Sequence, residues 1–599
     1  MYKIFLLIAV ISAIVYANSI NNGFVYDDKT SIIDNPYIRD IKNIPASFIQ
    51  PEYLTSAGIR NHYRPLVVVS HTLNYAVDNL NPAVFRITNL LFHIGTAFML
   101  FLVLKAILGN SKQTLIPLAS ALIFAVHPFN SETVNYIVAR SSVMSGFFYL
   151  SAFYCWVRYR WGEAEGRRKK LEVFYLGSLL AFLLGMLTKE VVITLPIVLW
   201  LYDFYFIHKL RPPHSSLRTV LNWRVYLPYL PFIFVIIIPL VFRVIYADGG
   251  VIPPFNRDLS SQIFTVMPVL VGYLRLLFLP SGLTIAHDVK IYNTPFAASV
   301  VISALVLLLF VINAIYLSKR KESEWRLLSF FMAWYLVTLL VIIIVPLNRI
   351  MQENRCYISG AGFAVFVSIL IGKLAYSRHR RKLAYGILVV LIVFYGVGTA
   401  YRNTVWRDGV TLWTDAMKKS PNDLLVYKNL SVAYKNIRNY DMGKEILHRG
   451  IMLFPENWEL HYNLGIAYKI TGELDLAMYE FEQARILDPR PASIYVGMGS
   501  LYLHKGDTET GIKILQEVIN KKPEYAPAHY YMAKALQKSG RPEEARVELD
   551  KALHYANRSY DRELAERITG YIKEGYIERG IIVEDLAIPS KILPGSRQL

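Results

Sequence analysis

Long apolar runs fill the chain up to about residue 401, and beyond that point none is long enough to cross a bilayer. Spanning a hydrocarbon core of about 30 Å takes about 20 apolar helical residues. Backbone polar groups in such a core must pair within the chain, so runs of this length read as helices. The pattern predicts an all-α protein: a polytopic helical membrane domain over 1–401, then a polar portion. Candidate spans fall at 4–20, 84–104, 114–128, 133–157, 172–188, 190–207, 226–245, 296–317, 327–346, 357–376 and 384–401, about eleven in all. The first follows Lys3 and reads as an uncleaved signal anchor, with a cleaved signal peptide as the alternative.

The net charge of +19 has a topological explanation. Basic residues crowd short loops between spans: Lys105 and Lys112; Arg158, Arg160, Arg167, Arg168, Lys169 and Lys170; Lys209, Arg211, Arg218 and Arg224; Lys319, Arg320, Lys321 and Arg326; and Arg378, Arg380, Arg381 and Lys382. The positive-inside rule assigns these loops to the cytoplasm. Eleven crossings that start inside agree with that and leave the polar portion outside. Nucleic acid is not expected as a partner, since no basic patch interleaved with aromatics is present. Residues 263–280 are apolar enough to span but contain Pro268, Gly272 and Arg275. One more crossing would put Lys319–Lys321 outside, so this segment reads as a re-entrant or interfacial helix on the outer side. Cys155 and Cys356 fit neither a metal spacing nor a disulfide framework.

Past residue 401 the sequence repeats. Pro421, Pro455, Pro489 and Pro523 are each 34 residues apart, the tetratricopeptide period. Leu430, Leu464, Met498 and Met532 keep the same phase, as do Tyr434, Tyr468, Tyr502 and Leu536. Gly472, Gly506 and Gly540 are expected between the two helices of a unit, with Gly443, Ala477, Gly511 and Ala545 where the helices touch. Each proline closes a repeat because it cannot continue a helix. An α-solenoid of about four repeats and a capping helix is therefore expected over 402–575, with a tail at 576–599. One helix pair cannot bury its own apolar face, so stacking neighbours completes the core and leaves a groove for a peptide or protein.

The charge-derived topology places several polar segments on one side without having used them. They are Asp27-Asp28, His62-Tyr63-Arg64-Pro65, His127-Pro128 with Glu132, Ala139-Arg140, Lys189-Glu190, His287-Asp288, and Glu353-Asn354-Arg355-Cys356-Tyr357. Charges at a membrane boundary tend to be functional. Together they would offer carboxylates for base or metal chemistry and cations for an anionic group. Plainer roles are open for each. Asp28 could cap a short helix. Lys189 and Glu190 could form an interhelical ion pair. Arg140 needs a partner that Glu132 or a ligand phosphate would supply, and His62, His127 and His287 could be packing residues, as could His93 within a span.

These segments carry a resemblance. Phe24-Val25-Tyr26-Asp27-Asp28, Tyr63-Arg64-Pro65-Leu66, Ala125-Val126-His127-Pro128 with Glu132, Ala139-Arg140, Lys189-Glu190 and Arg355-Cys356-Tyr357-Ile358 resemble the transmembrane and tetratricopeptide-repeat O-mannosyltransferase family and its bacterial relatives, of the GT-C glycosyltransferase superfamily. The chain departs from that family where Ser141, Ser142 and Val143 follow Arg140, since the family carries an acidic residue there. The resemblance implies an inverting glycosyltransferase that uses a polyprenyl-phosphate-linked sugar on the extracytoplasmic side. Asp28 or Asp27 would be the base on an acceptor hydroxyl, and Arg64, Arg140, Lys189 and Arg355 would bind the donor phosphate. His62, His127, Glu132, Glu190, His287, Asp288, Glu353 and Tyr357 would support them. No metal is firmly expected, although adjacent carboxylates could hold Mg²⁺ or Mn²⁺. The implied partners are the lipid-linked sugar, the bilayer and a protein or peptide acceptor held by the repeats. The expected location is a bacterial inner membrane with the site and repeats periplasmic, or the endoplasmic reticulum with both lumenal. A non-enzymatic membrane anchor presenting the repeats to partners is the alternative.

Overall fold

The computed structural model describes residues 1–50, 63–109, 115–164, 171–207, 226–246, 257–347, 349–559 and 561–577. The described residues are helical with short connections and no strands. They form two compact units, Met1–Ala433 and Tyr434–Leu599.

Seven helices of the first unit are long and apolar enough to cross a membrane by length and composition. They are Tyr2–Ser19, Pro82–Leu108, Glu190–Ile207, Leu259–Phe278, Ala298–Ser318, Ser323–Ile344 and Arg381–Val405. Shorter apolar helices lie at Leu115–Val126, Leu171–Met186, Leu227–Phe242 and Gly360–Tyr376. The expected span at 133–157 begins later, as the helix Arg140–Ala164. Ahead of it the chain forms the short turns Ser131–Asn135 and Ile137–Ala139.

Polar contacts define two ends of this bundle. At one end, Asn22 and Asn135 both bond to Asn403, which bonds in turn to Asn18 and the Val15 carbonyl. That ties the end of the first helix to the end of Arg381–Val405 and to the turn before Arg140. At the opposite end, Lys105 meets Met1, Arg160 pairs with Asp203 at 2.8 Å, and Lys373 pairs with Glu322 at 2.7 Å. The basic loops read from sequence, so far as they are described, share this second end. Lys112, Arg167–Lys170, Lys209, Arg211, Arg218 and Arg224 lie outside the described residues.

The segment expected to re-enter forms one continuous helix, Leu259–Phe278, despite Pro268. Its first turn bonds through Gln262 to the carbonyls of Ile342 and Val345, and its Leu277 carbonyl accepts from His127. Both ends of this helix thus meet segments from the first end of the bundle.

Residues 402–433 belong to the first unit. Arg402 pairs with Asp415 at 2.5 Å, Lys419 donates to the Leu283 carbonyl at 2.7 Å, and Arg349 pairs with Asp423.

In the second unit, helix pairs follow the sequence period: Trp458–Thr471 with Leu474–Leu487, Ala492–Lys505 with Thr508–Lys521, and Ala526–Lys538 with Pro542–Arg558. Helix Arg562–Ile577 follows the last pair. Gly472, Gly506 and Gly540 turn each pair with φ of 86°, 90° and 72°, a conformation that glycine adopts without penalty. At the corresponding turn one repeat earlier stands Arg438, with φ of 60°. The small residues mark the helix contact: a Cβ added at Gly511 would lie 2.8 Å from Leu503 and 3.1 Å from the Gly499 carbonyl.

Candidate functional site

Adjacent aspartates take opposite environments. Tyr26, just before them, holds a left-handed φ of 53° and packs edge-on against Trp413 at 5.2 Å. A bulky residue reaches that region only where its surroundings enforce it. The turn sends Asp28 inward. It is fully buried and accepts backbone N–H bonds from Val25 at 3.0 Å and Val138 at 3.1 Å. Asp27 points out and is exposed, with one carboxylate oxygen 2.8 Å from the Tyr136 hydroxyl that donates to it. Burial pushes Asp28 up to about 7 against the pull of those N–H bonds and of Arg86. Asp27 is also raised, because the surrounding protein partly desolvates it, while the Tyr136 bond opposes the shift.

Arg86 pins this loop. It is buried and donates to the carbonyls of Asn22, Gly23 and Asn135. Arg140 is buried too, and its guanidinium is taken up by the protein. It donates to Asn89 at 2.8 Å, to the Phe85 carbonyl at 2.6 Å, to Ser70 at 3.2 Å and to Asn74. The sequence reading offered Arg140 to a donor phosphate. Instead, this side chain ties the helices Pro65–Asp78, Pro82–Leu108 and Arg140–Ala164 together next to Asp28.

A second, cationic cluster gathers where helix Arg140–Ala164 begins. Lys189 donates to Ser142 at 2.6 Å and to Asn354 at 3.1 Å. Arg64 pairs with Glu190 at 2.8 Å, and its Nε is buried without a partner among the described residues. Arg355 donates to the carbonyls of Arg349 and Ile350. Burial, then the charges of Arg64 and Arg355, bring Lys189 down to about 7. The stretch Val138–Ser142 joins the two clusters, since Val138 N–H holds Asp28 and the Ser142 hydroxyl receives Lys189.

Beneath the cations, Glu132 is buried and accepts from the Glu353 N–H at 3.2 Å and from the Asn354 amide. Burial and the nearby Glu353 charge raise it. Glu353 accepts from the Thr284 N–H at 2.6 Å and meets His287 at 3.2 Å. Asp288 beside His287 is exposed.

Two expected residues serve packing. His127 accepts from the Phe129 N–H, meets the Leu277 carbonyl and packs on Tyr395 at 4.5 Å. Tyr357 is buried against His93, its hydroxyl 2.8 Å from the ring. His62 lies outside the described residues. Among the described residues, no group of three or more His, Cys, Asp or Glu side chains could share a metal ion.

Sequence reasoning missed Arg86 and Tyr136 and gave Ser142 and Asn354 no role. Arg86 left a signal, a cation inside an apolar span. Ser142 was noted only as a departure, yet its hydroxyl is what Lys189 meets.

The fold and this site define a multi-pass helical membrane protein with tetratricopeptide repeats, whose distant acids and bases gather at one end of its bundle. A family model described as "Tetratricopeptide repeat" matches residues 502–565. The chain is similar to "Protein O-mannosyl-transferase TMTC3" of Homo sapiens, 24% identical over 492 residues, which cover 77% of this chain and 52% of the relative. "Protein O-mannosyl-transferase TMTC2" of Mus musculus is 30% identical over 201 residues, 33% of this chain and 23% of that one. "Protein O-mannosyl-transferase Tmtc3" of Drosophila melanogaster is 23% identical over 494 residues, with 72% and 53% covered. These matches bear out the resemblance read from the motifs. The chain spans about half the length of the first of these relatives. Among solved structures, "Crystal structure of MamA" aligns at 23% identity and a TM-score of 0.22 over 25% of this chain and 89% of that one.

Proposed function

We propose that the chain is a glycosyltransferase that moves a sugar, mannose by the names of its relatives, from a polyprenyl-phosphate carrier to a hydroxyl on a protein acceptor. The observation that carries this reading is an exposed carboxylate, Asp27, next to a buried Asp28 that is held by the Val138 N–H, four residues before the Ser142 hydroxyl that Lys189 meets. A carrier keeps its tail in the bilayer and presents its phosphate at the boundary, which suits cations at the end of a membrane bundle.

In this reading Asp27 takes the proton of the acceptor hydroxyl as the oxygen bonds to the anomeric carbon. The bond from that carbon to the phosphate oxygen breaks in the same displacement, inverting the centre through an oxocarbenium-like transition state. The leaving phosphate gains charge, and Lys189, Arg64 and Arg355 stabilise it through charge-assisted hydrogen bonds. Asp28, Arg86 and Arg140 hold the loop and the helix start that position Asp27 and Lys189. The site end of the bundle, with the repeats, would then face the extracytoplasmic side, because the basic loops share the opposite end.

The test is transfer of labelled mannose from polyprenyl-phosphate mannose to a Ser/Thr peptide by the full chain in detergent. Asp27→Asn should lower turnover at least a hundredfold with the melting temperature unchanged. Normal turnover by that variant removes the assignment and leaves a membrane-anchored repeat scaffold.

A further inference from the structure

Helix Ala298–Ser318 turns most of its surface away from the rest of the protein. Of the seven long apolar helices it is the least buried, at 17%. One face is held: Val300, Ser303 and Ala314 are buried, Phe310 packs edge-on against Tyr335 at 5.8 Å, and the Ala314 carbonyl accepts from the Ser329 hydroxyl at 2.6 Å. Away from its two ends, the remaining surface is apolar, as lipid contact requires, with one exception.

That exception is Asn313, which is exposed. Its amide reaches one turn back and donates to the Leu309 carbonyl at 2.9 Å, while its side-chain oxygen has no donor among the described residues. The bond leans the side chain toward the helix N-terminus, away from Lys319, Arg320 and Lys321 at the other end. The residue stands about 7.5 Å inside the Ser318 end of the helix. An acceptor left bare at that depth meets no water and is costly.

Asn313 also belongs to a pattern. Ser299, Ile302, Val306, Leu309, Asn313 and Tyr316 follow one another at alternating steps of three and four residues, and all are exposed. This is the seam of a two-stranded helix pair, with Ile302 and Leu309 alternating with β-branched Val306 and a single asparagine. Copies of a membrane protein share one orientation in the bilayer, so this helix meets its own copy only in parallel. A two-fold axis along the membrane normal then sets each residue of the seam opposite itself. An asparagine amide holds both donors and an acceptor, so it is its own complement.

We propose that two copies of this chain pair in the bilayer along this seam of helix Ala298–Ser318, the amide of each Asn313 donating to the side-chain oxygen of the other. The second copy supplies the donor that this oxygen lacks. The proposal rests on the membrane helix alone, and sugar transfer plays no part in it.

Full-length chains labelled with a donor or an acceptor fluorophore are mixed in liposomes, and energy transfer is followed as lipid is added. The parent should show transfer that falls on dilution with lipid. Asn313→Leu should need about tenfold more protein per lipid for the same transfer, the size of one hydrogen bond between membrane helices. Asn313→Gln keeps donor and acceptor and should retain pairing. Asn313→Leu with Val306→Asn moves the amide one heptad along the same seam and should restore pairing, which controls for folding. A cysteine in place of Leu309 should cross-link between copies under mild oxidant, and one in place of Leu308, off the seam, should not. Transfer no greater than random proximity at every density overturns the proposal, as does parental pairing by Asn313→Leu. A relocated amide that restores nothing, or equal cross-linking of the two cysteine variants, overturns it too.

Discussion

Replacing Asp28 by asparagine keeps the side chain's volume and removes an acceptor that two backbone groups need. The buried carboxylate takes N–H bonds from Val25 at 3.0 Å and Val138 at 3.1 Å. An amide offers one oxygen, so one of those N–H groups must face another donor. A buried unsatisfied group costs about 1–3 kcal/mol. Arg86 and Arg140 keep their carbonyl and amide partners, so a cost of about 1–3 kcal/mol is expected. Asp27→Asn keeps an oxygen for the Tyr136 hydroxyl at an exposed position and should change stability by less than about 0.5 kcal/mol. Tryptophan fluorescence during denaturant unfolding in detergent reads both variants, since Trp406 stacks on Tyr136 at 5.8 Å and Trp413 packs on Tyr26. Parental stability in Asp28→Asn would refute the division of labour between the aspartates, as would equal destabilisation by Asp27→Asn.

Donor affinity should depend on pH through Lys189. Its charged form is complete below about 7 and is lost above it, so the dissociation constant for a polyprenyl-phosphate analogue should be flat below that pH. Above it the constant should rise by up to tenfold per unit, and a flat profile to pH 9 would exclude Lys189 from the phosphate site. Arg438→Gly should stabilise the repeats by about 1 kcal/mol, read by thermal unfolding, because it removes the left-handed strain at that turn. Gly511→Val should destabilise them by about 2 kcal/mol or more, since Leu503 and the Gly499 carbonyl leave no room for a branched side chain.

The parts legible in sequence are those that local chemistry fixes. Pro455, Pro489 and Pro523 stop helices wherever they stand, and Gly472, Gly506 and Gly540 take the left-handed turn, so the 34-residue period survives into the structure. Apolar length announces the membrane helices in the same way. The site was legible only as a set of charges sharing one end of the bundle. Which of two neighbouring aspartates turns inward depends on Tyr26 and on the distant Val138 N–H, and no pattern within residues 24–28 encodes that. Arg140 looked available because its partners Asn74, Asn89 and Ser70 come from two other helices and are ordinary polar residues in sequence. Residues 402–433 read as the start of the repeats from their proline phase, yet Arg402, Lys419 and Asp423 bind them into the first unit.

The central claim is that acid and cations from distant segments form one pocket for a lipid-linked sugar. A cryo-EM map of the chain with a non-hydrolysable polyprenyl-phosphate-sugar analogue tests it directly. The account places a phosphate oxygen about 3 Å from the Lys189 ammonium, with the sugar between it and Asp27. Phosphate density among the basic residues at the other end of the bundle, or a headgroup beyond reach of both Lys189 and Asp27, would contradict it.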